Sequence, residues 1–403
     1  MTATTFDTKP SGVRIDGSPL LIIAVAIVAG AAALSIIVSA TQALLFLTGG
    51  LLGLALYQAS FGFTGGWKRF ATEGRSRSMR AQFIMIAITA IVFIPVMSGF
   101  LDLGRSFAGA WAPVGVSVVF GAFLFGAGMQ LGGGCGSGTL FTVGGGSARM
   151  LVTLLGFIVG ATVGTWHLPF WLDLPSMPVV RFGETFGAIE GTLATLAGLA
   201  AIVGVLAFIE KRRHGDVESV FSGLREFSPL SFLHGPWPLI FAAVILALGN
   251  IVTLFLAGHP WSVTYGFGLW GAKAFEAIGI PVSSWAFWQI PAQARALNQS
   301  VLFDVTSVMN FGIILGAALA AALAGKFAPK VAVPFLSWVA AIIGGLLMGY
   351  GARLSFGCNI GALFSGIASG SLHGWVWLVM AYLGSLVGIF IRPVFGLDGF
   401  KKI

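Results

Sequence analysis

Charge is what this chain has least of. Only 9% of its 403 residues are Asp, Glu, Lys or Arg, against about 25% in a soluble globular protein. That shortage excludes a water-soluble enzyme or binding module of ordinary composition. Cysteine is almost missing too. Two cysteines cannot build a disulfide framework. Two cysteines with five scattered histidines do not have the spacing of a zinc site, so no metal and no cofactor is expected. A cleavable signal peptide is also not expected. The first 18 residues are polar, and the apolar run after them is long enough to span a bilayer. The net charge of +8 does not mark a nucleic-acid partner. The bases sit in short clusters between apolar runs, where they set membrane orientation.

What the chain does have is apolar bulk and glycine: 57% hydrophobic residues, 58 glycines and 35 phenylalanines. A spanning helix needs about 20 predominantly apolar residues. Runs of that kind lie near 20–39, 43–61, 82–100, 114–130, 149–166, 188–209, 237–257, 303–325, 333–352 and 375–395. The expected fold is an all-α polytopic membrane protein embedded in a lipid bilayer. It has about 9–10 transmembrane helices plus short broken or re-entrant ones. The segment 262–280 is shorter and carries Lys273 and Glu276, so it is read as partly inserted.

Basic residues cluster in three places: Lys68, Arg69, Arg75, Arg77 and Arg80; Lys211, Arg212, Arg213 and Arg225; and Arg392, Lys401 and Lys402. By the positive-inside bias all three face the cytoplasm, and threading the spans between them puts both termini inside. The division expected is a polar tail (1–19), a first half (20–209), a charged cytoplasmic linker (210–236) and a second half (237–403).

Each half holds one cysteine in a matching motif. LFGAGMQLGGGCGSGTLFTVGGGS, from 124 to 147, recurs as LMGYGARLSFGCNIGALFSGIASGS from 347. A shift of 223 residues, the separation of Cys135 and Cys358, also pairs Gly126 with Gly349, Gly134 with Gly357 and Gly138 with Gly361. Glycine runs make poor helix interiors. Each motif is therefore read as a helix that breaks near mid-membrane and resumes. By the span count the first motif runs inward and the second outward, which makes an inverted internal repeat. Paired broken segments of this kind point to a transport site. A second matched pair, Phe61-Gly62-Phe63-Thr64-Gly65-Gly66-Trp67 and Tyr265-Gly266-Phe267-Gly268-Leu269-Trp270-Gly271, lies upstream of the cysteines. Four breaks result.

Free backbone at membrane depth must be buried in protein or line a wet cavity. Gly134, Cys135 and Gly136 would present successive N–H groups, an anion-binding arrangement. Gly357, Cys358 and Asn359 would do the same with an added amide. A thiol is a weak donor and a polarisable partner. The combination suits a small anion with oxygens and a soft atom. One such motif alone would be ordinary helix packing, whereas two inverted copies favour function. Lys273, Glu276, Asn310, Arg353 and Gln130 lie in or near apolar runs and are functional candidates. Lys273 is counted as an anion-binding candidate, with pairing to Glu276 as the structural alternative. Arg353 falls opposite Gln130 in the repeat, so the fold does not require its charge, and two roles stay open for it: attracting an anion or anchoring a helix end. His259 and His373 are read as loop residues. Trp166, Trp171, Trp261, Trp285, Trp288, Trp375 and Trp377 are read as an interfacial belt.

PWSVTYGFGLWGAK (260–273), GARLSFGCNIGALFSGIASGSLHGW (351–375) and the Gly-Cys-x-x-Gly pattern at both cysteines resemble the YeeE/YedE family of bacterial inner-membrane sulfur transporters. The resemblance runs from about Leu44 to Arg392. It implies a multi-pass protein of the bacterial inner membrane that imports thiosulfate or a related small sulfur-containing anion. Cys135 and Cys358 would be relay thiols that pass the anion by S–H hydrogen bonds. The resemblance also implies a separate cytosolic sulfur-carrier or sulfurtransferase protein as partner. One departure stands out. The family's third cysteine, in a Phe-Cys-Phe-Ala-Gly context, corresponds here to Gly62, and Thr64 is the replacement donor offered. Two alternatives stay open: a carrier of selenium or sulfite species on the same fold, and a membrane-embedded sulfurtransferase-like thiol enzyme. The enzyme is disfavoured because no His or carboxylate lies beside either cysteine in sequence to activate it.

Overall fold

The computed structural model describes residues 16–327 and 333–400. Most of the N-terminal tail, and Lys401 and Lys402 of the third basic cluster, lie outside the described residues. In chain order the helices begin with α1 (Gly17–Ile37), α2 (Ala40–Gln58), α3 (Phe63–Glu73), α4 (Arg77–Met97), α5 (Val116–Gly132), α6 (Gly136–Gly144) and α7 (Ala148–Leu172). After the short α8 (Phe182–Thr185) come α9 (Ala188–His214), α10 (Pro229–His234), α11 (Leu239–Ala257) and α12 (Thr264–Ala277). The chain closes with α13 (Ala286–Gln289), α14 (Pro291–Asn298), α15 (Val305–Leu323), α16 (Phe335–Leu354), a π-helical segment Asn359–Ser365 leading into α17 (Gly366–Ala368), and α18 (Leu372–Ile391). Two short strands, Val114–Gly115 and Ser176–Met177, pair antiparallel. Ten helices among the described residues are long and apolar enough to cross a membrane, and each expected span coincides with one.

Side-chain caps fix several helix starts. The hydroxyl of Ser39 accepts from Gln42 N–H, that of Ser147 from Met150 N–H, and the Asp304 carboxylate from Ser307 N–H. Between spans the packing relies on glycine. A Cβ on Gly53 would lie 2.1 Å from the Ile313 carbonyl oxygen, and one on Gly316 1.9 Å from that of Gly50. Only bare backbone fits this α2–α15 crossing, which is how helices associate where apolar burial gives little preference for a protein neighbour over lipid.

Contacts recur in mated pairs. α16 packs on α7 as α5 packs on α18, and α15 packs on α2 as α4 packs on α11. The peripheral α1 lies on α15 as α9 lies on α4. Gly121 faces Gly351 and Gly128 faces Gly344. The mates α5 and α16 therefore run in opposite directions, as an inverted repeat requires. α5 ends against Gly344 and Met348, midway along α16, so its break falls inside the bundle.

The basic clusters converge on one face. Arg69 bonds Glu218 at 2.7 Å, Arg75 and Arg80 reach Glu210 at 3.3 and 3.2 Å, and Lys68 and Arg392 both hold Asp398. Three readings need correction. Trp261, Trp288 and Trp377 are fully buried and do not belong to an interfacial belt. The indole N–H groups of Trp288 and Trp377 donate to Thr165 and Ser355 inside the bundle, which satisfies the polar edge without water. His373 is not in a loop. It sits buried in the first turn of α18, with Nδ1 2.7 Å from Ser371 Oγ. Lys273 and Glu276 do not pair. The ammonium donates to the carbonyls of Leu297 and Gln299, and Glu276 accepts from Ser283 N–H.

Candidate functional site

All four expected breaks occur, between α2 and α3, α5 and α6, α11 and α12, and α16 and the π-helical segment. In the first cysteine break, Gly133 ends α5 in the left-handed region (φ 89°) and Cys135 caps α6. Cys135 Sγ accepts from Gly138 N–H at 3.4 Å and lies 3.6 Å from Ser137 Oγ. That leaves the N–H groups of Gly136 and Ser137 with no helical acceptor, as at any helix start. Met150 closes over Gly134, where a Cβ would come within 2.6 Å of its methyl carbon. In the second break the left-handed residue is Phe356 (φ 58°), followed by Gly357 (φ 151°). Cys358 Sγ accepts from Ile360 N–H at 3.4 Å.

The two breaks meet. A Cβ on Gly136 would lie 3.1 Å from Cys358 Sγ and 3.4 Å from Val263. Both thiols are free and buried. Beside them Asn359 is fully buried, and neither its amide nitrogen nor its carbonyl oxygen has a hydrogen-bond partner among the described residues. A buried amide left so is costly, and a ligand passing the thiols would satisfy it.

Thr64 stands at the start of α3, buried, with its hydroxyl unpartnered among the described residues. Its carbonyl accepts from Gln130 Nε2 at 3.2 Å, which joins it to the end of α5, five residues before Cys135. Gly62 adopts φ −105°, ψ 127°, open to any residue, and a Cβ there would meet only Ser60 O at 3.9 Å. A cysteine would fit this position. Lys273 lies elsewhere, tied to the 297–299 carbonyls, and the structure does not bring it to the thiols.

Several residues of the site escape sequence reasoning. The carbonyls at the end of α5 are capped by arginines: Arg149 donates to Leu131 O and Gly132 O at 2.7 Å, and Arg392 to Gln130 O. Asn250 accepts from Trp261 N–H at 2.8 Å and donates to Ser365 Oγ, which donates to Trp261 O. Asn310, which the sequence did single out as a candidate, donates to Val263 O at 2.9 Å. These bonds hold the 258–263 break against the second cysteine segment. A lone Asn within an apolar run was the available signal.

On the face opposite the basic clusters a cavity of about 520 Å³ reaches Gly357, the residue before Cys358. Its lining includes Arg353, Tyr265, Gln293, Thr264, Ser262 and Phe356. Another cavity, of about 440 Å³, lies under the 210–236 linker, and no candidate residue lines it.

Comparison with known proteins gives a consistent set of relatives. The family described as sulphur transport matches residues 58–387. The thiosulfate transporter TsuA of Spirochaeta thermophila is 27% identical over 286 residues, which cover 67% of this chain and 76% of that protein. TsuA of Escherichia coli strain K12 is 25% identical over 365 residues, 86% of this chain and 94% of that one. The probable transporter YedE of the same strain is 32% identical over 155 residues, a match that spans only 38% of its length.

Proposed function

The chain belongs to the sulphur transport family, and we propose that it imports thiosulfate, or a small anion of the same oxygen-and-sulfur build, past Cys135 and Cys358. The observation that carries this reading is the meeting of the two cysteine breaks, with Cys358 Sγ against Gly136. In the proposed passage the anion's oxygens take the N–H groups at the start of α6 and the Asn359 amide. Its terminal sulfur takes the thiol S–H, a weak and polarisable donor suited to a soft acceptor. Each thiol already accepts one backbone N–H, so its own hydrogen is free to donate. Thr64, with its unpartnered hydroxyl, serves the inner mouth where Gly62 supplies no thiol. A hydroxyl is the harder donor and favours the oxyanion end of the ligand. The termini and the basic face are cytoplasmic in this reading, and a soluble sulfur-carrier or sulfurtransferase protein receives the product there. Both transporters named TsuA are named for thiosulfate, which favours that anion over selenium or sulfite species.

The test is uptake of radiolabelled thiosulfate into proteoliposomes, with unlabelled sulfate and selenite as competitors. Saturable uptake that thiosulfate blocks and sulfate blocks poorly is the expected result. Absence of uptake, or equal competition by all three, would remove thiosulfate as the substrate.

A further inference from the structure

We infer that Lys68 and Arg392 form an oxyanion site at the basic-face end of the pathway, and that the Asp398 carboxylate is its built-in occupant. A small oxyanion arriving from Cys135 displaces that carboxylate, and the carboxylate returns to expel it. The inference rests on the transport reading above and adds a last station to it.

The place of the site follows from α3, α5 and the chain after α18. Thr64 and Lys68 are four residues apart on α3, so they share one face of that helix. Gln130 ties the Thr64 carbonyl to the end of α5, and Arg392 donates to the Gln130 carbonyl. A row of groups therefore runs from the first cysteine break, through the Thr64 hydroxyl, to Lys68 and Arg392. Past α18 the chain turns back on itself. Gly396 adopts the left-handed region (φ 67°), and Leu397 N–H donates to Arg392 O at 3.2 Å. Gly399 packs so closely on α18 that a Cβ would lie 2.8 Å from Ile389 O. This fold sets Asp398 Oδ1 2.7 Å from Arg392 Nη2 and the other carboxylate oxygen against Lys68 Nζ.

Charge and exposure both mark the carboxylate as a replaceable partner. Lys68, Arg149 and Arg392 are linked to the end of α5, and Asp398 is the one carboxylate that pairs with any of them among the described residues. Arg149 is fully engaged by the carbonyls of Leu131 and Gly132 and by Ser337. Lys68 has no side-chain partner except Asp398 among the described residues. The Lys68 and Arg392 side chains are 22% and 11% exposed, whereas that of Asp398 is 77% exposed. The cations are recessed, and the anion covers them from outside. A guanidinium edge beside an ammonium suits two oxygens of one small oxyanion. Asp398 lies six residues after Arg392. On so short a tether its effective concentration is on the order of millimolar or above, so a soluble anion displaces it only briefly. That competition keeps two recessed cations from trapping the anion they attract. The site takes oxygens, so it does not distinguish thiosulfate from sulfate.

The test uses radiolabelled sulfate, which has the oxygens and lacks the soft sulfur. Its equilibrium binding to the purified full chain is measured first. Asp398→Asn removes the charged occupant, so that variant should bind sulfate about tenfold more tightly than wild type. Adding Lys68→Gln should cancel the gain. If Asp398→Asn does not fold, Asp398→Ala takes its place. Thiosulfate uptake is then followed in right-side-out membrane vesicles preloaded with unlabelled sulfate. Asp398→Asn should be half-inhibited by about tenfold less internal sulfate than wild type. No gain in sulfate binding, or a gain that Lys68→Gln leaves intact, would overturn the inference. So would a gain in binding with unchanged sensitivity to internal sulfate, which places the site off the pathway. If wild-type vesicles take up thiosulfate while sulfate binding does not move, the transport reading stands without this site. If sulfate binding behaves as expected while wild-type vesicles take up no thiosulfate, the transport reading fails and the oxyanion site stands.

Discussion

The two cysteine breaks share a backbone plan and differ in almost every side chain around it. Gly133 and Phe356 occupy the same left-handed position, Gly134 and Gly357 follow, and then come the two thiols, each taking a backbone N–H. Past the thiol, Gly136 faces Asn359, and a regular α-helix faces a π-helical segment. Before it, Gln130 faces Arg353. What is common to both copies is therefore the turn and the sulfur. The arginine before the thiol, the amide directly after it and a non-glycine residue in the left-handed region belong to the second copy alone. The comparison teaches that the two breaks share a turn geometry while their side chains give each thiol unlike surroundings.

The largest effect is expected where the copies touch. Gly136→Leu would drive a side chain into Cys358 Sγ and Val263, the atoms nearest the position of its Cβ. Overpacking costs about 1–3 kcal/mol, but the larger consequence is a blocked path. Thiosulfate uptake should vanish while the protein still purifies as a monodisperse species. Retained uptake would show that the anion does not pass between the two breaks.

Asn359→Ala separates stability from transport. The amide is buried without partners, and an unsatisfied buried group costs about 1–3 kcal/mol. Its removal should leave the thermal midpoint unchanged or raised. Uptake should fall about tenfold, the loss of one hydrogen bond to a charged ligand. A drop in stability with normal uptake would make Asn359 a structural residue.

The left-handed pair is next in size. Gly133→Ala places a Cβ in that region, at about 1–2 kcal/mol, and also pushes on Arg149 Nη1, 2.6 Å from the Cβ position. Phe356→Gly relieves the same strain, offset by glycine's greater freedom when unfolded, about 0.5–1 kcal/mol. Melting in detergent should therefore fall for Gly133→Ala and hold or rise for Phe356→Gly. Equal losses in both would mean that Phe356 contributes packing that outweighs its strain.

Much of this was legible before any coordinates. All ten spans were, because an apolar run of bilayer length has few other uses. The repeat and its breaks were legible because glycine clusters interrupt those runs at matched places. What stayed hidden depends on which side of a helix faces inward. Trp261 and Trp377 lie near span ends, as belt residues do, yet both point into the bundle. Arg392 caps a carbonyl 262 residues away in sequence, a contact no local pattern encodes. Lys273 stood out as an intramembrane charge, but the chain around it supplies carbonyl acceptors at 297 and 299.

The smallest effect concerns the basic face, where Arg392 reaches both Gln130 O and Asp398. The Lys68 and Arg392 side chains hold the Asp398 carboxyl down to about 2. Because the folded value lies below the unfolded one, the ion pairs stabilise at pH above about 4 and the contribution is lost as pH falls toward 2. Asp398 is 77% exposed, so the gain should stay under about 1 kcal/mol. Asp398→Asn should make the slope of thermal stability between those pH values shallower, with Glu210, also held down to about 2, supplying part of what remains. An unchanged slope would assign it to other carboxylates.

The measurement that bears most directly on the central claim is uptake of radiolabelled thiosulfate by Cys135→Ala and Cys358→Ala, each at wild-type expression. In the proposed path the thiols lie in series, so each single variant should lose most uptake and the double variant little more, with folding costs within the usual ~0.5–3 kcal/mol or below. Wild-type rates in either single variant would contradict a path that both thiols carry.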